Sequence, residues 1–208
     1  MTGIGKIDKP DAALYKDKKK IYFVRNIYLP VNAPDKYKDI FFRYWSEVDE
    51  HISKLEVAGK VSKVFCESIY MTGEEAMKVV NAMNVRLEQI IQKKVDAGAE
   101  FLPLEDKEIF GAYIDWTNCL MVVRTSKVYE IVHHHFQEAI KKRFDHIGSL
   151  LGDAVKDGEA ALLIMRDEDR QHIHLPDDIE LFFVTPPSYD DLQHYISESK
   201  EGKEFWRS

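Results

Sequence analysis

The sequence predicts an α/β (or α+β) protein, with a sheet of five or more strands covered by long amphipathic helices. Three observations carry this expectation. Short runs rich in β-branched and aromatic residues recur along the chain. Longer segments with apolar residues at helical spacing lie between them. Most boundaries fall at proline, glycine, serine or threonine, where helices and strands start and stop. Such alternation is the pattern of helices packed on a sheet.

The elements follow in order. Residues 21–29 alternate and are β-rich, so a strand is expected, closed by Pro30. Pro34 suits the first turn of a helix that presents Tyr37, Ile40, Phe41, Tyr44, Val48, Ile52 and Leu55 on one side and stops near Gly59. Residues 61–70 read as a second strand. Thr72-Gly73-Glu74-Glu75 has the form of a capping box, opening one long helix that ends at Gly98. Residues 101–124 hold two patterns: Ile109, Tyr113, Trp116 and Leu120 fit a helix, while 118–123 fit a buried strand. A short helix or loop followed by a strand is expected there. Thr125 or Ser126 caps the next helix, which bends at Gly148 and ends at Gly158. Strands are expected at 160–165, 171–175 and 179–185. Ser188 with Asp191 then caps a last helix through Ser197. A single domain over 21–199 is the simplest organisation, with a mild seam near 125. Residues 1–20 read as a flexible basic arm and 200–208 as a polar tail.

Composition bounds the function. The 208 residues are 45% hydrophobic and 31% charged, which suits a folded core and excludes a disordered chain. Cys66 and Cys119 are the two cysteines, both inside apolar runs, so free thiols and a reducing compartment are expected. No run is long and apolar enough for a bilayer, and the first twenty residues lack the apolar block of a signal peptide. A cytoplasmic location with no membrane partner follows. Net charge is −7, and the basic clusters are small: Lys16 with Lys18 to Lys20, and Lys141 to Arg143. Direct duplex nucleic-acid binding is not expected, because it draws on cations that replace counterions.

Glu67 is the most informative polar residue. It shares a strand face with Phe65 and Ile69, because side chains two apart point the same way. A carboxylate there is held by a partner, meets water at the strand end, or has its pKa raised for acid–base work. Asp115, beside Trp116, is a second candidate that could pair with an arginine. Glu105, Asp106 and Glu108 form an acidic run, read as a solvated helix start or as company for Glu67 and Asp115. His133, His134 and His135 fan around a helix and cannot share one metal; His134 and Glu138, four apart, could. His172 and His174 share a strand face and are the better metal candidates. No zinc, phosphate-loop, dinucleotide or nucleophile-elbow motif occurs, and no cofactor is expected.

The run Leu-Gly-Asp-Ala-Val-Lys-Asp-Gly-Glu-Ala-Ala-Leu-Leu-Ile-Met-Arg-Asp over 151–167 resembles a helix-to-strand unit. That unit lies in the last domain of archaeal and eukaryotic class-one release factors and of Pelota. The kink-turn-binding ribosomal proteins have a related one. In these families a helix ends at glycine and an apolar strand ends at an acidic residue, and 179–185 is similar to the strand that follows. The chain has neither the Gly-Gly-Gln of peptide release nor the Gly-x-Asn-Glu of kink-turn binders, so no functional residue carries over. The resemblance implies an α/β module that binds a protein or a ribonucleoprotein.

Together these readings favour a non-catalytic binding or regulatory module tied to translation. The alternative is a small-molecule enzyme whose acid–base groups are Glu67 and Asp115. A homodimer is also expected. Tyr37, Phe41, Phe42, Tyr44 and Trp45 spread around one helix more widely than a narrow stripe, and that helix or the Phe205–Trp206 tail would lie between chains.

Overall fold

A computed structural model describes residues 12–198. It is α/β, with a five-stranded parallel sheet. In chain order the elements are β1 (Lys19–Arg25), α1 (Asp35–Leu55), β2 (Val61–Cys66), α2 (Gly73–Met83), α3 (Val85–Asp96), β3 (Glu100–Pro103), α4 (Lys107–Val122), α5 (Ser126–Ala154), β4 (Ala160–Met165), α6 (Asp167–Arg170), β5 (Ile179–Val184) and α7 (Pro187–Glu198). A short 3₁₀ turn, Ala12–Tyr15, precedes β1. Strand order is β3-β2-β4-β1-β5. β4 therefore lies between β1 and β2, and the halves on either side of residue 125 interleave in one sheet.

The strands read as near-continuous apolar runs because both faces of a parallel sheet are covered. Tyr22, Val24, Val64, Cys66, Leu162 and Ile164 meet α1, α2, α3 and α7 on the first face. Ile21, Phe23, Phe65, Ala161, Leu163 and Met165 meet the second half of α5, through Phe144, Ile147 and Leu151. The rings of α1 are absorbed by this core. Tyr37, Phe41, Tyr44 and Trp45 are buried between the sheet and the neighbouring helices of the same chain. Phe42 stays 43% exposed, with the Arg86 guanidinium 5.4 Å from its ring centre. The aromatic width of α1 is thus explained within one chain. Phe205 and Trp206 lie outside the described residues.

Several boundaries differ from the sequence reading, each for a local reason. The expected long helix from Thr72 is two helices. Asn84 takes an extended conformation and its side chain accepts from Arg86 N and Leu87 N, at 3.0 and 3.2 Å. An asparagine that caps better than it continues a helix breaks the run. The Thr72 and Thr125 side chains make no capping bond. Ser188 lies inside α7, where its amide and hydroxyl both donate to Glu47. Residues 118–123 fall mostly within α4 rather than in a strand, while β3 lies earlier at Glu100–Pro103. Residues 171–175 alternate but form no strand. His172 N and Ile173 N donate back to Asp169 O and Arg170 O, so they cannot join a ladder. Ile173 and Leu175 still pack into the second core.

Of the expected arm, residues 12–20 dock on the body, and 1–11 lie outside the described residues. Lys20 is fully buried and donates to the carbonyls of Tyr15, Lys16 and Lys18. Burial pulls its pKa below the ordinary lysine value.

Gly148 lies within α5 where the loop after α6 crosses the helix. A Cβ there would stand 2.6 Å from the His174 carbonyl oxygen. Alanine favours an exposed helix by about 1 kcal/mol over glycine, but here the clash with backbone decides the sign. Gly148→Ala is expected to destabilise the chain by about 1–3 kcal/mol. Urea denaturation measures it, as a lower midpoint at unchanged slope. An unchanged or higher midpoint would mean that the loop yields freely.

Candidate functional site

The chain leaves β1 and β2 toward the first face and leaves β4, which lies between them, toward the second. Ligands of open α/β sheets bind where this direction switches, outside the carboxyl ends of the strands. Here those ends carry Arg25 as the last residue of β1 with Asn26 after it, Glu67 and Ser68 after β2, Glu105 after β3, and Arg166 and Asp167 after β4.

Glu67 joins three strand ends. Its side chain is 1% exposed. Oε1 accepts from Asn26 Nδ2 at 2.8 Å and from the Tyr28 hydroxyl at 2.7 Å. Oε2 accepts from Arg166 N at 3.1 Å and lies 3.5 Å from Arg166 Nε. These groups surround the buried carboxylate and leave neither of its oxygens without a partner. Burial, then the Glu67 charge, pushes the Tyr28 hydroxyl well above the usual phenol range. Burial pulls the Arg166 pKa down, but Asp169 and Glu67 outweigh it and hold this guanidinium charged.

A second buried cluster adjoins the first. Arg143 and Glu105 have side chains 2% and 1% exposed. They form a two-pronged pair, with Nη2 to Oε1 at 2.6 Å and Nε to Oε2 at 3.0 Å. Arg143 Nη1 donates to Asp169 at 3.0 Å, and Arg166 Nη2 donates to the same oxygen at 2.9 Å. Asp169 therefore links the two clusters. Ser68 N donates to Glu105 at 3.2 Å, and Ser68 has a φ of 65°, the left-handed region that a serine enters at a cost.

A cleft of about 380 Å³ opens beside the Glu67 cluster, within the size range of small-molecule sites. Its polar lining includes Arg25, Asn26, Tyr28, Arg166, Tyr189 and Gln193. The Arg25 guanidinium lies 4.6 Å from the Tyr189 ring centre, and its Nη1 donates to Thr185 at 3.0 Å. Asn26 is buried at 6% exposure, and its Oδ1 makes no hydrogen bond among the described residues. A buried acceptor without a donor is costly, so a ligand group or water that donates there is favoured. A larger groove of about 680 Å³ lies between α2, α3 and β3. Its polar lining is the exposed sides of Glu74, Lys78, Asn81, Glu88 and Gln92, with no buried, partly bonded group to orient a ligand. The carboxyl-edge cleft is therefore the better site.

The sequence candidates are placed as follows. Glu67 is at the heart of the site, and Glu105 is near it but committed to Arg143. Asp115 is exposed on α4 and does not line the cleft. Asp106 caps α4 by accepting from Glu108 N and Ile109 N. His172 stacks on Phe144, with ring centres 5.2 Å apart. His172 and His174 lie on the loop before β5 rather than on one strand face, and no group of three or more metal-ligating side chains gathers among the described residues. Cys66 and Cys119 are free, and burial pushes the Cys66 thiol far above the ordinary range. The sequence reading missed Arg25, Asn26, Tyr28, Arg166 and Arg143. For Arg143 a signal existed: it falls three residues after Ile140 and four before Ile147, on the core-facing stripe. Its place beside Lys141 and Lys142, both exposed, disguised it.

In comparisons with known proteins, the chain matches no family model, no curated protein and no solved structure.

Proposed function

We propose that the chain is a non-catalytic binding or regulatory module that takes a small polar ligand in the carboxyl-edge cleft. The observation that carries this reading is the buried Asn26, bonded on one side to Glu67 and carrying an unbonded acceptor, in a cleft at the switch point of the sheet. Arg166, with nearly half its side chain exposed, supplies a cation for an anionic group, and the Tyr189 ring supplies an apolar wall. The ligand class is a small molecule with a hydrogen-bond donor and an anionic group. Acid–base catalysis by Glu67 and Asp115 has less support. Glu67 is closed to solvent with both oxygens engaged, and Asp115 points away into water. The likeness of 151–167 to release-factor and Pelota domains supports binding to a protein or ribonucleoprotein in the cytoplasm as part of the same proposal.

The test uses full-length protein and a cytosolic small-molecule extract as the probe. Native mass spectrometry is expected to show a small adduct on the wild-type chain, and thermal melting is expected to rise with extract. Gln193→Trp, which fills the cleft from the exposed side of α7, should abolish both effects while leaving the melting temperature without extract unchanged. No adduct and no rise for the wild type, or an equal response from Gln193→Trp, overturns the proposal.

A further inference from the structure

On the first face α1 and α3 lie side by side and run the same way, with Arg86 over Phe42 toward one end and Lys93 paired to Asp49 two turns on. A groove of about 450 Å³ lies between them, on the side of α1 away from α7 and the carboxyl-edge cleft. Two buried polar atoms of residues that line it have no hydrogen-bond partner among the described residues, and they are of opposite kind. Trp45 is 1% exposed, and its Nε1 can only donate. Asp49 Oδ1 accepts from nothing, while Oδ2 accepts from Lys93 at 2.7 Å. These residues are four apart, so their side chains share a face of α1 about 6 Å apart along its axis. Unmet buried donors and acceptors are costly, so a group that accepts from one and donates to the other is favoured there.

We infer that this groove binds a free apolar α-amino acid as its zwitterion. The carboxylate accepts from Trp45 Nε1 and Arg86, the ammonium donates to Asp49 Oδ1, and the side chain lies against Phe42 and Ile90. Charge selects a dipolar ligand over an anion or a cation. The charged residues lining the groove are Arg86 toward one end and Asp49, Glu50 and Lys93 toward the other, with Lys93 engaged by Asp49. Donors therefore gather at the Arg86 end and unused acceptors at the Asp49 end. Asn84 adds to the donor end from an adjoining cavity that shares Phe42, Arg86 and Gln89. It is 6% exposed, and its Oδ1 is held by the amides of Arg86 and Leu87, so the orphaned atom is Nδ2, another donor. Size selects the α-amino acid. Its nitrogen and carboxyl carbon stand about 2.5 Å apart, and a hydrogen bond of about 2.9 Å at each end lets it bridge one helical turn. The Phe42 ring, 43% exposed, supplies the apolar wall. The rim residues Ser46, Glu50, Gln89 and Lys93 are exposed, so the groove opens by rotamer changes without backbone movement.

The test is nuclear magnetic resonance of the full chain with ¹⁵N-labelled tryptophan. Of the three indole signals, that of Trp45 is the one retained when Trp116→Phe and Trp206→Phe are combined. L-phenylalanine and L-leucine are the probes, each added to about 20 mM. A saturable shift of the Trp45 signal is expected, with a Kd of about 1 mM for ligands of about a dozen non-hydrogen atoms. N-acetyl-L-phenylalanine lacks the ammonium and L-phenylalaninamide lacks the carboxylate, so each should bind about 10-fold or more weakly. Asp49→Ala and Arg86→Ala should weaken L-phenylalanine by a similar factor while the melting profile is kept, because both side chains are partly or fully exposed. The Trp45 response should survive Gln193→Trp, which separates this groove from the carboxyl-edge cleft. No saturable shift with either amino acid overturns the inference and leaves a bridging water as what the two atoms hold. So do equal shifts from the blocked analogues, or affinities that Asp49→Ala and Arg86→Ala leave unchanged.

Discussion

Arg143→Ala is expected to cost the fold about 3–5 kcal/mol, because it leaves a buried charge without its partner. Glu105 has a side chain 1% exposed and would keep one donor, Ser68 N at 3.2 Å. Asp169 would keep Arg166, and the rings of Tyr113, Phe144 and Phe110, whose centres lie 4.7, 5.2 and 5.3 Å from the guanidinium carbon, would lose a packed cation. For a chain of this size that loss corresponds to a fall in melting temperature of roughly 10 °C. Arg143→Lys keeps the charge but not the two-pronged geometry, so an intermediate loss is expected. Arg143→Met with Glu105→Leu removes both charges, and it should recover most of the stability, short of about 1 kcal/mol for the amide of Ser68. Thermal denaturation followed by circular dichroism reads all three. If Arg143→Ala melts within a degree or two of the wild type, the pair does not hold the second half of α5 to the sheet.

Glu67→Leu is expected to cost about 3 kcal/mol: the Tyr28 hydroxyl, part-exposed, can turn to water, but the donors of Asn26 Nδ2 and Arg166 N lose their acceptor at about 1–3 kcal/mol each. Glu67→Gln should cost less, about 1–2 kcal/mol, because one amide oxygen still accepts while the amide nitrogen faces other donors. The order is the test. Equal losses for the two variants, by chemical denaturation, would mean that Glu67 acts through shape rather than through its bonds. Gln193→Trp, on the other side of the cleft, should leave stability untouched, so loss of ligand response there is separable from loss of fold.

Much of this architecture was legible in the chain. The strands at β1, β2, β4 and β5 are marked by β-branched and aromatic runs, and α1 and α5 by their apolar stripes. Glu67 stood out because a carboxylate on an apolar strand face needs a partner. Where the reading failed, two local patterns competed. The run 118–123 is apolar enough for a buried strand, but all of it except Val123 lies in α4, a helix that α5 covers on one side only. Short apolar runs carry no period long enough to separate the two. At 171–175 the alternation is real, since Ile173 and Leu175 turn into the core, yet the backbone donors are spent on the turn that follows α6.

By itself the sequence determined the class of fold, most of the pieces that build it and the position of Glu67 as the carboxylate to explain, because periodicity and side-chain polarity are local properties. Strand order was decided by the tertiary structure. β4 enters between β1 and β2 from about a hundred residues further along the chain, and that insertion creates the switch point and sets Asn26, Glu67 and Arg166 side by side. The fate of the charges was decided there too. Arg143 and Lys142 are neighbours of the same sign in the sequence, but only the helix phase and the approach of Glu105 and Asp169 leave one buried and paired and the other in water.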